Sequence, residues 1–95
     1  MKPTLRLARR VRTDFGGHSQ AVLAELATIP ETLPLADKQD PERLQAAVVL
    51  SARGSIERVA TSLARARTDW RDALMAGGLA NGDWRQRLDR ELGPE

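Results

Sequence analysis

Residues 40–55 read DPERLQAAVVLSARGS, and this stretch contains both a helix start and a helix end. Asp40 can accept a free backbone N–H as an N-cap, and Pro41 suits the first helical position because it has no N–H to donate. The run AAVVL is apolar on nearly every side of a helix, and Gly54 suits a helix end. The stretch therefore predicts the central, most buried helix of the protein, at 41–53.

The flanking sequence shows apolar residues three and four positions apart, between cap residues and glycines. This spacing is typical of amphipathic helices, and no segment alternates as a half-buried strand does. A proline-rich segment without that spacing, at 30–40, is predicted to be an extended connector with Leu33 and Leu35 as anchors. We predict one all-α domain over residues 1–95, a compact irregular bundle of five to six short helices. The helices are expected near 4–15, 19–29, 41–53, 55–67, 69–76 and 83–92.

Each of the six predicted helices begins at a residue whose side chain can accept a backbone N–H, and several end at glycine. Gly77 and Gly78 are expected to end the fifth helix, with Leu79 making the apolar contact of a Schellman motif. The N-terminal pair of helices is expected to pack across the central helix. The expected N-caps are Thr4, Ser19, Asp40, Ser55, Asp69 and Asp83.

The pattern D-W-R-x-x-L occurs twice, at 69–74 and at 83–88, and includes both tryptophans of the chain. Each Asp can cap a helix, and the Leu four residues after each Trp lies on the same helical face. The doublet is therefore interpreted as a repeated helix start. Because Trp is favoured in protein interfaces, Trp70 and Trp84, with the neighbouring Leu79, are also candidate interface residues.

The runs ERLQAAVVLSARG and LARARTDWRDALMAGGLANGDWRQRLDREL, within residues 42–92, resemble a group of small helical proteins from high-GC bacteria. In that group an E-R-[LV]-Q-A-A helix precedes D-W-R-D-x-L-x-x-x-G-L-A and a second D-W. The V-R-x-D-F and A-V-L-x-x-L motifs nearer the N-terminus are similar too, so the resemblance spans most of the chain. It implies no catalytic residue, because the group has no assigned activity.

The charge of the chain is unevenly distributed. The net charge is +2, yet residues 1–13 hold five of the fifteen basic side chains and no acid, so residues 14–95 sum to ten minus thirteen, or −3. Basic side chains on one side of the first helix could lie along phosphates, which makes a nucleic-acid-binding or regulatory protein the alternative function. A helix-turn-helix at 42–67 is less favoured, since 54–70 holds no Asn or Gln to read bases. The candidate phosphate contacts are Arg6, Arg9, Arg10 and Arg12.

Several classes of function are disfavoured by what the sequence lacks. The chain has no cysteine, and His18 is its one histidine. Phosphate-binding, dinucleotide-binding, zinc-protease and EF-hand motifs do not occur, so no catalytic, cofactor-binding or metal-binding residue is assigned and no cofactor is expected. No apolar run reaches the roughly 18 residues that span a bilayer, and no secretory signal is expected. We predict a cytoplasmic, bacterial, non-enzymatic protein that associates with a protein partner or a second copy of itself, with a dimer possible and no membrane.

Overall fold

The chain forms six α-helices in the part that the computed structural model describes, which is residues 2–29 and 40–93. These residues contain no β-strand, and the Cα radius of gyration is 11.7 Å. About 12 Å is expected for a compact chain of this length, so the predicted compact, all-α fold is confirmed. The predicted connector and its anchors Leu33 and Leu35 lie outside the described residues, except for Asp40. The helices are α1 (Leu5–Phe15), α2 (Ser19–Leu26), α3 (Pro41–Ala52), α4 (Ile56–Thr68), α5 (Trp70–Ala76) and α6 (Trp84–Leu92).

Helix α3 lies at the centre of the molecule, as predicted. It packs against α4 and α5 and also contacts α1 and α6. Seven of its twelve residues are buried, because the AAVVL run presents small or apolar side chains in every direction. The buried Gln45 donates from Nε2 to the carbonyl oxygen of Leu26 at 3.0 Å, which ties α3 to the end of α2. This hydrogen bond satisfies a polar group that would otherwise be costly to bury.

The end of α5 packs directly on α3. A β-carbon on Gly77 would lie 2.5 Å from the Cα of Ala47, so only glycine allows this approach. Gly78 follows with a φ of +76°, a left-handed conformation that glycine adopts without strain. The N–H of Leu79 then donates to the carbonyl of Leu74 at 2.8 Å, and the N–H of Gly78 donates to that of Met75 at 3.1 Å. These two bonds form the predicted Schellman motif.

Four of the predicted N-caps accept a backbone N–H through their side chains, namely Thr4, Asp40, Ser55 and Asp69. The predictions for Ser19 and Asp83 are wrong. A 3-10 turn, Gly16–His18, runs directly into α2, so Ser19 is already helical and caps nothing. Asp83 has φ −88° and ψ 14° instead of the extended backbone of a cap, and its side chain accepts no cap hydrogen bond.

Two helix ends also differ from the predicted bounds. Helix α2 ends at Leu26 instead of residue 29, because the N–H of Ile29 donates to Leu26 in a tighter turn at 3.0 Å. Helix α3 ends at Ala52 because Arg53 has left-handed dihedral angles, φ 50° and ψ 43°. Gly54, with φ +80°, completes the turn into α4.

Candidate functional site

The arginines of α1 bind the last carbonyls of α6. Arg6 Nη1 donates to Gly93 O at 3.3 Å, and Arg9 Nη2 donates to Leu92 O at 3.3 Å. Arg10 Nη1 donates to the carbonyl oxygen of Glu91 at 2.6 Å. The last carbonyls of a helix lack partners within the helix and carry its partial negative charge, so cations are favoured there. Three consecutive carbonyls, two from the end of α6 and one from its C-cap Gly93, therefore hold α1 in place.

Arg6 is also paired with two carboxylates. Its Nε and Nη2 donate to the two carboxylate oxygens of Glu42 at 2.9 and 2.6 Å, and its Nη1 donates to Asp89 at 2.6 Å. The side chains of Arg6 and Glu42 are only 11% and 13% exposed. The hydrogen bonds that Arg6 donates to Glu42 and Asp89 raise the pKa of Arg6 above its usual value, and the bond to Glu42 lowers the pKa of Glu42. The ion pair joins α1 to the first turn of α3.

These contacts engage part of the basic stripe that was expected to meet phosphates, and phosphate binding by Arg6, Arg9, Arg10 and Arg12 stays a prediction. The side chains of Arg6 and Arg10 are mostly buried. Their guanidinium groups donate hydrogen bonds to α3, α6 and Asp14. Arg9 also donates to α6, although Arg9 and Arg12 are both exposed. Charge alone could not distinguish the two outcomes, because the acids and carbonyls that α1 meets are distant in sequence.

The two tryptophans are half-buried and lie against the hydrophobic core. The guanidinium carbons of Arg43 and Arg85 lie 4.8 and 4.5 Å from the ring centre of Trp84, at distances typical of cation–π contacts. Burial, followed by the positive charge of Arg85, lowers the pKa of Arg43. Part of the tryptophan surface that could meet a partner is therefore covered by the protein's own arginines.

Leu79 is fully buried, which corrects the expectation that its side chain lies on a contact surface. Its carbonyl oxygen accepts a hydrogen bond from Arg43 Nε at 2.9 Å. The Schellman motif turns the side chain inward, where it joins the hydrophobic core. An interface role for Trp70 and Trp84 stays a prediction.

A groove of about 340 Å³ lies open between α2 and α4. Helix α2 packs mainly on α1, while α4 packs on α3 and α5, so the two helices leave a gap between them. Glu25 of α2 and Arg67 of α4 border the groove, and Ile56 at its edge is 38% exposed. The apolar lining consists of Ala21, Val22, Ile56, Val59, Ala60 and Leu63. We name this feature the α2–α4 groove.

The sequence did not predict the α2–α4 groove. Val22, Val59 and Leu63 are buried core residues that also form the floor of the groove. The neighbouring alanines were the available signal, because Ala21 and Ala60 extend the apolar stripes beyond the core-facing positions. Which helices flank a gap depends on packing between distant segments, which the helical period does not encode.

His18 is exposed on the 3-10 turn between α1 and α2. Within residues 2–29 and 40–93, no three His, Cys, Asp or Glu side chains gather as metal ligands would. No helix in the same residues is long and apolar enough to cross a membrane. No protein-family model, curated protein or solved structure matches the chain. The resemblance to small helical proteins of high-GC bacteria therefore stays a prediction.

Proposed function

We propose that this protein is a non-enzymatic association module that binds a second copy of itself through the α2–α4 groove. The observation that carries this proposal is the apolar groove itself, with Ile56 partly exposed at its edge. A contiguous apolar surface bordered by charged side chains is typical of a site for another protein. A cytoplasmic, bacterial setting is our expectation from the sequence and is part of the proposal.

The charges that border the groove favour a second copy as the partner. Glu25 lies on one side and Arg67 on the other, and neither forms an ion pair with another described residue. A two-fold dimer requires one patch to complement itself, since each residue of the interface meets the same surface rotated by 180°. A two-fold axis that runs parallel to the groove places Glu25 of one copy opposite Arg67 of the other, twice, whereas an axis across the groove would bring like charges together. Two ion pairs would then flank an apolar centre.

The small size of the α2–α4 groove, compared with a standard interface, indicates a weak dimer. A stable interface covers about 800 Å² on each partner, which is roughly one seventh of the 5518 Å² of accessible surface on this chain. The α2–α4 groove and its borders comprise eight side chains, whereas about 20 to 30 residues a side are typical of a standard interface. We therefore expect self-association at tens of micromolar protein, detectable by sedimentation velocity.

The first test compares two exposed apolar residues. Ile56→Glu places a charge at the α2–α4 groove, whereas Met75→Glu places one on α5, where the side chain is 68% exposed. Ile56→Glu should abolish the dimer and Met75→Glu should leave it intact. Ala60→Glu, at an exposed position of the groove on α4, should match Ile56→Glu. Melting curves of each variant confirm that the monomer is folded.

Two results would overturn the proposal. The first is a folded wild-type protein that sediments as a monomer up to several hundred micromolar. The second is a dimer that Met75→Glu disrupts and Ile56→Glu does not. The nucleic-acid alternative relied on the arginines of α1, and the contacts of Arg6, Arg9 and Arg10 with α3 and α6 leave it with less support.

A further inference from the structure

The geometry points to a second site, a binding site for the phosphate group of a small ligand, in a cavity between the end of α3 and the middle of α4. The cavity measures about 400 Å³ and lies apart from the α2–α4 groove, with which it shares no residue. Its polar lining consists of Ser51, Arg53, Arg58, Thr61, Ser62 and Arg65. We name this feature the three-arginine cavity.

Local structure brings the three arginines to one place. Arg58 and Arg65 are seven residues apart on α4, which is nearly two full turns, so they lie on the same helical face. Arg53 joins them from the preceding turn. Its backbone has the left-handed conformation that residues other than glycine rarely adopt. Backbone strain of this kind is often found at functional sites. The sequence spacing of Arg53 alone did not indicate that it would face α4.

The charges of these arginines are not neutralised within the described residues. No carboxylate lines the three-arginine cavity, and no hydrogen bond or ion pair joins the guanidinium group of Arg53, Arg58 or Arg65 to another side chain described by the structure. The arginines of α1 differ, because Arg6 and Arg10 are each paired with acids. Three like charges around one cavity repel each other, and an anion between them would remove that repulsion.

Hydroxyl groups form the floor of the three-arginine cavity. The Oγ atoms of Ser51 and Ser62 lie 2.7 Å apart, and Ser51 Oγ also donates to the carbonyl of Val48 at 3.0 Å. A hydroxyl has one hydrogen to donate, so Ser62 must be the donor in the bond between the two serines. Both hydrogens are therefore committed inside the protein. The donors left for an anion are the guanidinium groups, which suit the oxygen geometry of phosphate.

The volume of the cavity favours a phosphate carried by a small molecule. About 300–1,000 Å³ is typical of a small-ligand site, and the three-arginine cavity falls in this range at about 400 Å³. A second cavity of about 350 Å³ adjoins it through Arg53 and Ala76 and is bordered by Arg87. A phosphate held by the three arginines would leave room for the rest of a molecule such as a nucleoside monophosphate.

NMR titration of the full chain tests this inference. Arginine Nε–Hε signals are followed while sodium phosphate, or AMP, is added at constant ionic strength. We expect saturable shifts at Arg53, Arg58 and Arg65, with either probe, and tighter binding of AMP. Replacing Arg58 and Arg65 together by Gln should weaken binding by at least about tenfold, the loss expected when a charge-assisted hydrogen bond is removed.

A matched variant controls for net charge. Lys2 and Arg90 are exposed and line neither cavity, so replacing both by Gln removes the same charge outside the proposed site. This control should bind both probes as the wild type does. Arg53→Gly should also weaken binding, while its melting temperature stays the same or rises, because glycine suits the left-handed backbone.

Three outcomes would overturn the inference. Shifts that stay linear to tens of millimolar would mean screening without a site. An equal loss in the Lys2 and Arg90 control would mean that net charge alone attracts the anion. Shifts at the same arginines with duplex DNA, but with neither phosphate nor AMP, would assign the surface to nucleic acid instead of a small ligand.

Discussion

Gly77 lies so close to Ala47 that a β-carbon at position 77 would come within 2.6 Å of the Ala47 carbonyl oxygen and 2.8 Å of its Cβ. Both atoms belong to Ala47 of α3, whose backbone is held by helical hydrogen bonds and cannot shift at one residue alone. The packing of α5 on α3 therefore depends on the absence of a side chain at one position. This contact also fixes where the Schellman motif begins, and with it the path from α5 to α6.

Gly77→Ala should destabilise the protein, because the added methyl group overlaps with backbone atoms of α3. We expect a loss of about 1–3 kcal/mol in the free energy of unfolding, as for other overpacked core sites. Gly17→Ala is the matched control, since nothing lies within 4 Å of a β-carbon there. Urea unfolding at 25 °C measures both. Equal stabilities of the two variants would contradict the close approach.

Glu42→Gln should lower the stability at neutral pH, because the amide cannot form the charged pair with Arg6. The expected loss is about 1.5–3 kcal/mol, the range for hydrogen bonds to charged groups. Glu57→Gln, on the exposed surface of α4, should cost much less. Urea unfolding at pH 7 measures both variants. A Glu42→Gln protein as stable as the wild type would mean that the pair contributes no net stability.

The same pair predicts a dependence on pH. The hydrogen bond from Arg6 lowers the pKa of Glu42 in the folded protein below that of the unfolded chain. Such a carboxyl stabilises the fold above its unfolded pKa, about 4.3, and this contribution is lost as the pH falls through the folded value. Between pH 7 and pH 3 the wild type should therefore lose more stability than Glu42→Gln. Parallel losses in the two proteins would refute this assignment.

The two halves of the D-W-R-x-x-L doublet should respond differently to loss of the aspartate. Asp69 accepts the N–H of Arg71 at 3.0 Å, whereas the side chain of Asp83 makes no cap hydrogen bond. Asp69→Ala should cost about 1 kcal/mol, as for other N-caps. Asp83→Ala should change the stability by less than about 0.5 kcal/mol. Thermal and urea unfolding of the two variants would contradict this if the losses were equal.

Substitutions at the adjacent positions 53 and 54 of the α3–α4 turn should have different effects on the stability of the protein. Arg53→Gly relieves a left-handed conformation that costs about 1–2 kcal/mol for a residue with a side chain, although the flexibility of unfolded glycine offsets part of that gain. We expect no change or a gain of up to about 1 kcal/mol. Gly54→Ala should instead destabilise, because φ is +80° and a β-carbon would lie 3.1 Å from Asp14 O. Loss of stability in Arg53→Gly would contradict this account of the turn.

Local sequence signals predicted most of the fold. The helical spacing of apolar residues, together with prolines and glycines, identified six helices and the central position of α3. These signals act within one or two helical turns. Ser19 and Asp83 failed as caps because their backbones are determined by neighbouring turns. A cap residue type is necessary for the hydrogen bond, but the φ and ψ angles that direct its side chain depend on how the preceding segment ends.

The candidate sites were less predictable, because they depend on contacts between distant segments. The stripe of Arg6, Arg9 and Arg10 was visible in the sequence, but Glu42 and the carbonyls of α6 lie 36 to 87 residues away. The three-arginine cavity was not predicted from the sequence either. No sequence motif joins Arg58 and Arg65. The left-handed conformation that adds Arg53 to them has no local sequence signal when the residue is not glycine.

Exchanging the charges at the border of the α2–α4 groove tests the proposed self-association most directly. Glu25→Arg leaves two arginines on each copy, and Arg67→Glu leaves two glutamates, so each variant alone should sediment as a monomer. An equimolar mixture should form a heterodimer, because every pair across the two-fold axis is then opposite in charge. Sedimentation velocity of the two variants, alone and mixed, gives this result if the groove binds a second copy. A mixture that stays monomeric while the wild type dimerises would contradict the claim.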